Sequence, residues 1–171
     1  DPTIVIAGAP NVGKSQLIGR ISTAKPRVAV YPFTTQEISV GMFEKKYHRY
    51  QVIDTPGLLD RPFEHRNAIE LRAVLALRHL SDAIVFVMDP SETCGYRMPE
   101  QEHLLKEIET EFKGIPIFVV ENKADLVSGK SERRKISAET GEGVPELVDD
   151  VVALLRKMDK ESSDARGLSA E

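Results

Sequence analysis

Gly8-Ala9-Pro10-Asn11-Val12-Gly13-Lys14-Ser15 is the stretch that decides the fold of this chain. The residues before it, 4–7, are continuously apolar and predict a buried strand. Those after it, 16–21, have the apolar spacing of a helix. The pattern G-x-x-x-x-G-K-S between a strand and a helix is typical of a loop that binds phosphate groups.

Each part of this loop has a chemical purpose. The glycines allow backbone N–H groups to turn toward phosphate oxygens, and the helix N-terminus adds a partial positive charge. Lys14 can reach the β- and γ-phosphates, and the Ser15 hydroxyl can bind Mg²⁺. A glycine turn that matches the pattern by chance is the alternative. We expect the loop to contact a nucleotide through Asn11, Val12, Gly13, Lys14, Ser15 and Gln16.

Composition limits the class of protein. The 171 residues, of which 41% are hydrophobic, are enough for one globular domain with a single core. A net charge of −4 argues against a domain that coats nucleic acid. The single cysteine, Cys94, excludes an internal disulfide and indicates a reducing, cytoplasmic environment. No apolar run reaches the roughly 20 residues of a membrane helix, and no signal peptide is recognisable. The start at Asp1 without Met leads us to expect an excised domain.

Strand and helix patterns alternate along the rest of the chain. Strands are predicted at 3–7, 37–44, 47–54, 83–88, 115–121 and 135–137, and helices at 13–23, 68–80, 99–113 and 144–158. Residues 24–35 contain two prolines and no clear period, so we predict a loop there. This order predicts a mainly parallel six-stranded sheet with one antiparallel strand and helices on both faces. Residues 1–158 form the expected domain, followed by a charged, flexible tail at 159–171.

In such a sheet the ligand lies at the carboxyl ends of the strands. Asp54-Thr55-Pro56-Gly57 follows one of them. The Asp54 carboxylate can hold Mg²⁺ through water, and the Gly57 N–H can meet a γ-phosphate with no side chain in the way. Thr34 and Thr35 precede the predicted hairpin, and one threonine from that loop is expected to complete the Mg²⁺ shell. We choose Thr35 because it directly precedes the strand-forming residues, so the expected metal ligands are Ser15, Thr35 and Asp54.

Asn122-Lys123-Ala124-Asp125 closes another strand. Asp125 can accept hydrogen bonds from guanine N1–H and its 2-amino group, a donor pair that adenine lacks. Lys123 can lie along the base through its stem, and Asn122 can tie this loop to the phosphate loop. Ser137-Ala138 can offer a backbone N–H to guanine O6. Together these motifs favour GTP and GDP over adenine nucleotides.

The five motifs, in this order and at these strand ends, resemble the GTP-binding domain of the translation-factor-related GTPases. Tyr31-Pro32-Phe33-Thr34-Thr35 is similar to the first switch of the Obg and Nog GTPases. Asp54-Thr-Pro-Gly-Leu-Leu-Asp-Arg-Pro62 and Asp89-Pro-Ser-Glu-Thr-Cys-Gly95 are similar to Nog in particular. The resemblance covers about residues 3–158.

This resemblance implies a P-loop NTPase with the Ras-like GTPase fold. It also implies a role in assembly of the large ribosomal subunit, a nucleolar location in a eukaryote, and a helical domain ahead of this one, as Nog proteins have. Two features depart from the family pattern. Gln16 stands where a small residue is common, and the short segment 125–137 leaves little room for the usual helix.

Because of Leu58, the sequence does not decide between two functions. Many small GTPases have a glutamine directly after the D-x-x-G glycine, where it orients the attacking water, and leucine cannot do this. The first function is a slow GTPase that acts as a switch and uses Lys14, Thr35 and Gly57. The second is a guanine-nucleotide-dependent binding module with negligible turnover. An ATPase is a third function, disfavoured by Asp125.

Asn11 has two interpretations. Asparagine often stabilises a turn. In related GTPases with an apolar residue at the Leu58 position, however, an asparagine at this place helps to hold K⁺ against the phosphates. Apart from the guanine nucleotide and the ribosomal partner that the resemblance implies, we expect no membrane contact and no sequence-specific reading of nucleic acid.

Overall fold

The computed structural model describes residues 1–31, 35–127 and 131–169, apart from the side chain of His65. This part of the chain forms β1 (Thr3–Ala7), α1 (Lys14–Ile21), β2 (Arg27–Val30), β3 (Glu37–Lys45), β4 (His48–Asp54), α2 (Ala68–Leu80), β5 (Ala83–Met88), α3 (Met98–Glu111), β6 (Ile117–Glu121), β7 (Arg134–Lys135) and α4 (Val144–Leu168). A short 3₁₀ helix at Phe63–His65 precedes α2.

The seven strands described belong to one sheet with the order β2-β3-β4-β1-β5-β6-β7. β4, β1, β5, β6 and β7 are parallel, whereas β3 runs against both of its neighbours. Every residue of β1 and β5 is buried, as expected for central strands covered on both faces. The parallel strands end at one common edge, so the loops after β1, β4, β5 and β6 meet there.

Helices lie on both faces of the sheet. The connection from β1 leads toward β4, and the later connections lead toward β5 and β6, so right-handed crossovers place their helices on opposite faces. α1 contacts β3, β4 and α4 on its face, and α3 contacts β5 on the other. The predicted fold class, with one strand antiparallel to the rest, is confirmed.

The sheet has one strand more than the six predicted. β2 lies within 24–35, which we predicted to be a loop, and pairs with β3 from Arg27 opposite Val40 to Val30 opposite Glu37. All four residues of β2 are exposed, and Val28 and Val30 are each 65% exposed. An edge strand without a buried face does not need polar–apolar alternation, so its sequence lacks the pattern on which the prediction depends.

α2 has the predicted bounds because Asn67 caps it. The Asn67 side chain accepts a hydrogen bond from the Glu70 N–H at 2.8 Å, which satisfies one free donor of the first turn. The buried residues of α2 are Ala73, Val74 and Leu77. Four apolar residues of this helix are exposed: Ile69, Leu71, Leu75 and Leu80.

α4 is longer than predicted. It continues beyond Met158 to Leu168, and residues 156–168 are all exposed. The composition of this stretch is charged, which suggested an end near Met158, but charged residues with good helix propensity also extend a helix in solvent. The division of the chain at Met158 into a nucleotide-binding domain and a flexible tail stays a prediction.

Gly41 provides a test of how α1 rests on the sheet. A Cβ at this buried position of β3 would lie 2.9 Å from Cβ of Ser22, the residue that ends α1, and 3.1 Å from Cγ1 of Val52. We expect Gly41→Ala to lower the free energy of unfolding by about 1–3 kcal/mol, because α1 must move away from β3. Urea denaturation measures this change.

Gly19→Ala is the matched control. Gly19 lies in α1, and a Cβ there would have no neighbour within 4 Å among the described residues. Alanine is the better helix former, so this variant should be more stable by about 0.5–1 kcal/mol. If Gly41→Ala were as stable as Gly19→Ala, the close contact between α1 and β3 would be wrong.

Candidate functional site

The phosphate loop joins β1 to α1 and surrounds the buried ammonium group of Lys14. Lys14 Nζ donates hydrogen bonds to the carbonyl oxygens of Gly8 and Ala9, each at 2.7 Å. Burial lowers the pKa of Lys14, and the negative charges of Asp54 and Asp60 partly oppose this. The loop thus places a positive charge at a helix N-terminus, an arrangement suited to a phosphate group.

Ser15 and Asp54 lie next to each other, as the metal-site prediction requires. Ser15 Oγ donates to Asp54 Oδ2 at 3.3 Å, and Asp54 Oδ1 is buried without a partner among the described residues. Burial raises the pKa of Asp54, while Lys14 and the Ser15 hydrogen bond lower it and Asp60 raises it further. A hydroxyl beside a carboxylate oxygen that lacks a partner fits a hard cation such as Mg²⁺.

The third expected metal ligand is not brought to this pair. Thr35 is exposed, and in the described part of the chain Ser15 Oγ bonds to Asp54 Oδ2 while Asp54 Oδ1 has no hydrogen-bond partner. Thr34 lies outside the described residues. The neighbouring Gln36 does reach the site, since a Cβ at Gly57 would lie 2.7 Å from its Nε2. The assignment of Thr35 stays a prediction.

Gly57 begins a turn of residues 57–61 that is held from several sides. Its φ of +83° is in the left-handed region that favours glycine. Its N–H donates to Asp60 Oδ2 at 2.9 Å, and its carbonyl oxygen accepts from Arg66 Nη1 at 3.0 Å. The carbonyl of Leu59 accepts from the Gly8 N–H at 3.2 Å, so this turn also contacts the phosphate loop.

Asn122 joins the two parts of the site, as predicted. Its Nδ2 donates to the carbonyl oxygen of Val12 at 2.9 Å, and its Oδ1 accepts from the Ala138 N–H at 2.9 Å. A Cβ at Gly13 would lie 2.2 Å from Asn122 Nδ2, and the φ of Gly13 is +107°, so only glycine suits this position. One buried amide therefore fixes the phosphate loop against the loop that contains Ala138.

Lys123 is held by two side chains for which no role was predicted and by a backbone carbonyl of the phosphate loop. Its Nζ donates to Asp89 Oδ2 at 2.7 Å, to Thr93 Oγ1 at 2.7 Å and to the carbonyl oxygen of Asn11 at 3.3 Å. Burial raises the pKa of Asp89, but the hydrogen bonds from Lys123, Ser91 and the Cys94 N–H outweigh it and hold this pKa below its usual value. The loop 89–95 thus orients the Lys123 side chain.

The residues predicted to contact guanine are close together. Asp125 Oδ1 accepts from Ser137 Oγ at 2.8 Å, so the serine orients the carboxylate. Asp125 is exposed in this structure, whereas Ser137 is buried. Ser137-Ala138 was predicted to offer a backbone N–H to guanine O6, and the N–H of Ala138 already donates to Asn122 Oδ1. A base at this place would have to share that donor or displace the amide oxygen.

A shallow cavity of about 360 Å³ lies beside these residues. It is lined by Gln16, Asn122, Lys123, Asp125, Leu126 and Glu139. Gln16 Nε2 donates to a Glu139 carboxylate oxygen. The glutamine, which stands where the family commonly has a small residue, therefore links α1 to the loop that contains Ala138. A larger hollow of about 1000 Å³ lies at the opposite end of β1 and contains none of the five motifs. The smaller cavity is therefore the candidate base pocket.

Leu58 and Asn11, which raised the question of hydrolysis, differ in burial. Leu58 is fully buried in the core and Asn11 is exposed. Asn11 has a φ of +64°, a conformation that asparagine tolerates better than most residues. Its backbone alone gives a reason for the asparagine, and the K⁺ assignment stays a prediction.

No role was predicted from the sequence for Asp60, Arg66, Asp89 or Thr93, although each contacts a group of the site. Asp60 follows Gly57 by three residues, a distance at which an aspartate side chain often reaches a backbone N–H, so its spacing was a usable signal. Arg66 contacts the turn only because the 3₁₀ helix folds back. Its side chain is 1% exposed, which a sequence alone does not indicate for an arginine.

The arrangement has close counterparts among known proteins. A crystal structure of a candidate nucleolar GTP-binding protein 1 from Plasmodium falciparum matches this fold with a TM-score of 0.80. The two sequences are 36% identical, and the match covers 95% of this chain and 90% of that one. This chain belongs to the nucleolar GTP-binding protein 1 family. The sequence model of the family, described as nucleolar GTP-binding protein 1 (NOG1), matches residues 68–125.

Two further relatives show how much of a longer protein this chain matches. An uncharacterised protein from Methanocaldococcus jannaschii is 53% identical over 126 residues, which are 74% of this chain and 35% of that protein. Nucleolar GTP-binding protein 1 from Arabidopsis thaliana is 47% identical over 125 residues, which are 73% of this chain and 19% of that protein. The chain thus spans between about a fifth and a third of these two relatives. Among its described residues, no helix has the length and apolar character needed to cross a membrane.

Asp89 gives this NOG1-family site a testable dependence on pH. Its pKa is lowered in the folded state, so its interactions stabilise the fold fully above the usual value of about 3.9 and are lost as pH falls below it. We expect Asp89→Asn to lower the free energy of unfolding at pH 7 by about 1–3 kcal/mol, because Lys123 loses its charged acceptor. Urea denaturation from pH 7 to pH 3 measures it.

The difference between Asp89→Asn and the wild type should shrink as pH falls below about 4, because the Asp89 carboxyl of the unfolded wild-type chain takes up a proton there before that of the folded protein does. Glu92→Gln removes a charge from the same loop without touching Lys123, since Glu92 accepts from the Met98 N–H instead. A difference that persisted unchanged at pH 3 would show that the Asp89 charge is not the stabilising element.

Proposed function

We propose that this chain is a GTP-binding domain that hydrolyses GTP slowly and acts as a nucleotide switch. The observation that carries the proposal is the amide of Asn122, which joins the phosphate loop to the loop expected to contact the base. A site built in this way has a phosphate end and a base end at a fixed separation. It suits a nucleotide better than it suits an isolated phosphate.

The phosphate end would hold the nucleotide through Lys14, the N–H groups of the loop and the N-terminus of α1. Ser15 and Asp54 would hold Mg²⁺, which when bound neutralises charge on the β- and γ-phosphate oxygens. Lys14 would turn from the carbonyls of Gly8 and Ala9 toward the phosphates. Thr35 would approach only with the triphosphate, which agrees with its exposed position here.

The base end would select guanine through Asp125. Ser137 Oγ holds one oxygen of this carboxylate, so its orientation does not depend on the ligand. A guanine presents N1–H and the 2-amino group to it, whereas an adenine would leave the carboxylate without donors. Lys123, held by Asp89 and Thr93, would lie along the base.

We expect GTP hydrolysis to be slow because of Leu58. Its side chain is fully buried in the core, so no water-orienting group follows Gly57. A guanine-nucleotide-dependent binding module with negligible turnover is the second candidate, favoured by the same observation. GTP turnover with and without ribosomal particles separates the two, because only the first function gives phosphate release in either condition.

The biological setting comes from the relatives. Those from Plasmodium falciparum and Arabidopsis thaliana are named nucleolar GTP-binding protein 1, and the Nog-like stretches 54–62 and 89–95 support the same setting. We propose that the parent protein acts in assembly of the large ribosomal subunit, and in the nucleolus if the source is eukaryotic. Its ribosomal contacts would be made without sequence-specific reading of nucleic acid.

Asp125→Asn tests base recognition. Xanthine has a carbonyl where guanine has the 2-amino group, and an amide side chain can donate to that carbonyl. We expect this variant to lose GDP affinity by about 10- to 100-fold and to gain affinity for xanthosine diphosphate. Competition against a fluorescent guanine nucleotide measures both affinities.

Ser137→Ala is the matched variant for this test. It leaves the Asp125 carboxylate in place but removes the hydroxyl that orients it, so it should weaken GDP binding without creating affinity for xanthosine diphosphate. If Asp125→Asn kept wild-type GDP affinity and still rejected the xanthine nucleotide, the base assignment would be wrong.

Monovalent ions test the proposed role of Asn11 in hydrolysis. The charge that develops between the β- and γ-phosphates needs a cation beyond Lys14 and Mg²⁺, and K⁺ held by Asn11 could supply it. We expect faster GTP hydrolysis in K⁺ than in Na⁺ at equal ionic strength. Phosphate release measured in both salts gives the ratio.

Asn11→Gly is the informative variant here. Glycine adopts the φ of +64° without strain, so it keeps the turn and removes only the side chain. The K⁺ advantage should disappear in this variant while GDP affinity remains. Leu58→Gln should not restore fast turnover, because the new side chain would start from a buried position. Equal rates in K⁺ and Na⁺, with ribosomal particles present as well as absent, would contradict the K⁺ assignment.

A further inference from the structure

The 57–61 turn contains a carboxylate at the place where the proposed function requires a phosphate. The Gly57 N–H, the donor expected to meet a γ-phosphate, instead donates to Asp60 Oδ2 at 2.9 Å. The other oxygen of the same carboxylate, Oδ1, is buried and has no hydrogen-bond partner among the described residues. Asp60 therefore occupies this donor with an anionic group of the chain itself.

The surroundings of Asp60 are those of the phosphate end of the site. Its charge acts on both Lys14 and Asp54, although burial is the largest influence on the pKa of each. The Leu59 carbonyl next to it contacts the phosphate loop at the Gly8 N–H. A negative charge at Asp60 thus lies within electrostatic reach of the cation and the metal ligand that a triphosphate would use.

Arg66 keeps the turn in this conformation. Its Nη1 donates to the carbonyl oxygen of Gly57 and its Nη2 to that of Arg61, both at 3.0 Å, so the guanidinium holds the backbone on each side of Asp60. Glu70, on the first turn of α2, pairs with both arginines. Because the turn is fixed at both ends, its Asp60 carboxylate stays close to the Gly57 N–H.

We propose that Asp60 is a specificity-determining residue that occupies the γ-phosphate donor Gly57 N–H and thereby lowers the affinity for GTP relative to GDP. This inference rests on the proposed function, since it concerns the same nucleotide site. A γ-phosphate that approaches Gly57 must displace the carboxylate and is repelled by its charge. GDP does not extend to this donor, so its affinity depends on Asp60 much less than that of GTP.

The contact also describes how the turn responds to the nucleotide. In the diphosphate state Asp60 satisfies the Gly57 N–H, and the turn keeps the conformation seen here. In the triphosphate state the N–H passes to the phosphate and the Asp60 side chain must leave. The ligand thus changes the turn only through the difference in its contacts with the two states.

Nucleotide competition tests the proposal directly. The affinities of GDP and of a non-hydrolysable GTP analogue are measured for the wild type, Asp60→Asn and Asp60→Ala by displacement of fluorescent GDP in the presence of Mg²⁺. We expect both variants to bind the analogue about tenfold more tightly relative to GDP, because a charged acceptor no longer competes for the donor. GDP affinity itself should remain within about twofold of wild type, which is well below that tenfold step.

Glu64→Gln is the control for net charge. Glu64 is an exposed carboxylate in the adjacent 3₁₀ helix and faces His103 rather than Gly57, so its removal should leave the ratio unchanged. Equal ratios in the wild type and both Asp60 variants, with GDP still bound, would reduce Asp60 to a residue that only shapes the turn. Weaker binding of the analogue by the Asp60 variants would show that Asp60 favours triphosphate binding, which would overturn the proposal.

A second measurement does not depend on the triphosphate. Amide hydrogen exchange at Gly57 in the GDP-bound protein should be slow in the wild type and at least several-fold faster in Asp60→Ala, because the N–H loses its acceptor. Unchanged exchange would mean that Asp60 does not hold this donor. If the wild type bound neither nucleotide, the proposed function would be wrong and this inference with it, whereas a changed Gly57 exchange rate with an unchanged affinity ratio would contradict only the inference.

Discussion

The buried amide of Asn122 is the contact on which the geometry of the candidate site depends. Asn122 directly follows β6, and its backbone N–H donates to the carbonyl oxygen of Met88 at the end of β5. Its side chain therefore starts from the rigid edge of the sheet. From there it reaches Val12 in one direction and Ala138 in the other. The distance between the two ends of the site is set by the spacing of neighbouring strands rather than by flexible loops.

The second constraint is electrostatic. Lys14 is buried near two carboxylates, Asp54 and Asp60, and its direct hydrogen bonds go to backbone carbonyls. On the proposed function, phosphates would bring further negative charge to the same place. Asp54 would remain because a metal ion can share its oxygens, whereas Asp60 has no such compensation and would move. The same charge that balances Lys14 in this structure thus becomes the group that resists the triphosphate.

The sequence predicted those parts of the molecule that follow from local patterns. The buried strands β1 and β5 and the bounds of α2 follow from patterns within a few residues. Parallel strands bring their following loops to one edge, so the meeting of Ser15 with Asp54 was predictable. β2 was not, because an exposed edge strand is stabilised by its pairing with β3 and not by a hydrophobic pattern. No role was predicted for Asp60 or Arg66 either. The spacing of Asp60 from Gly57 was a local signal that was not used, whereas the role of Arg66 depends on tertiary contacts, and no spacing rule locates a buried guanidinium.

The short segment between Asp125 and Ser137 illustrates how tertiary contacts replace a missing element. In its described residues, 125–127 and 131–137, there is no helix, in agreement with the expectation that this segment is too short for the helix usual in the family. Arg133 instead donates to both carboxylate oxygens of Glu102 on α3, and Lys135 pairs with Glu121 at the end of β6. A two-point bond between planar groups fixes direction as well as distance. Ser137 therefore reaches Asp125 from a segment anchored to α3 and β6, so a site that needs an oriented serine can be built without the longer connection.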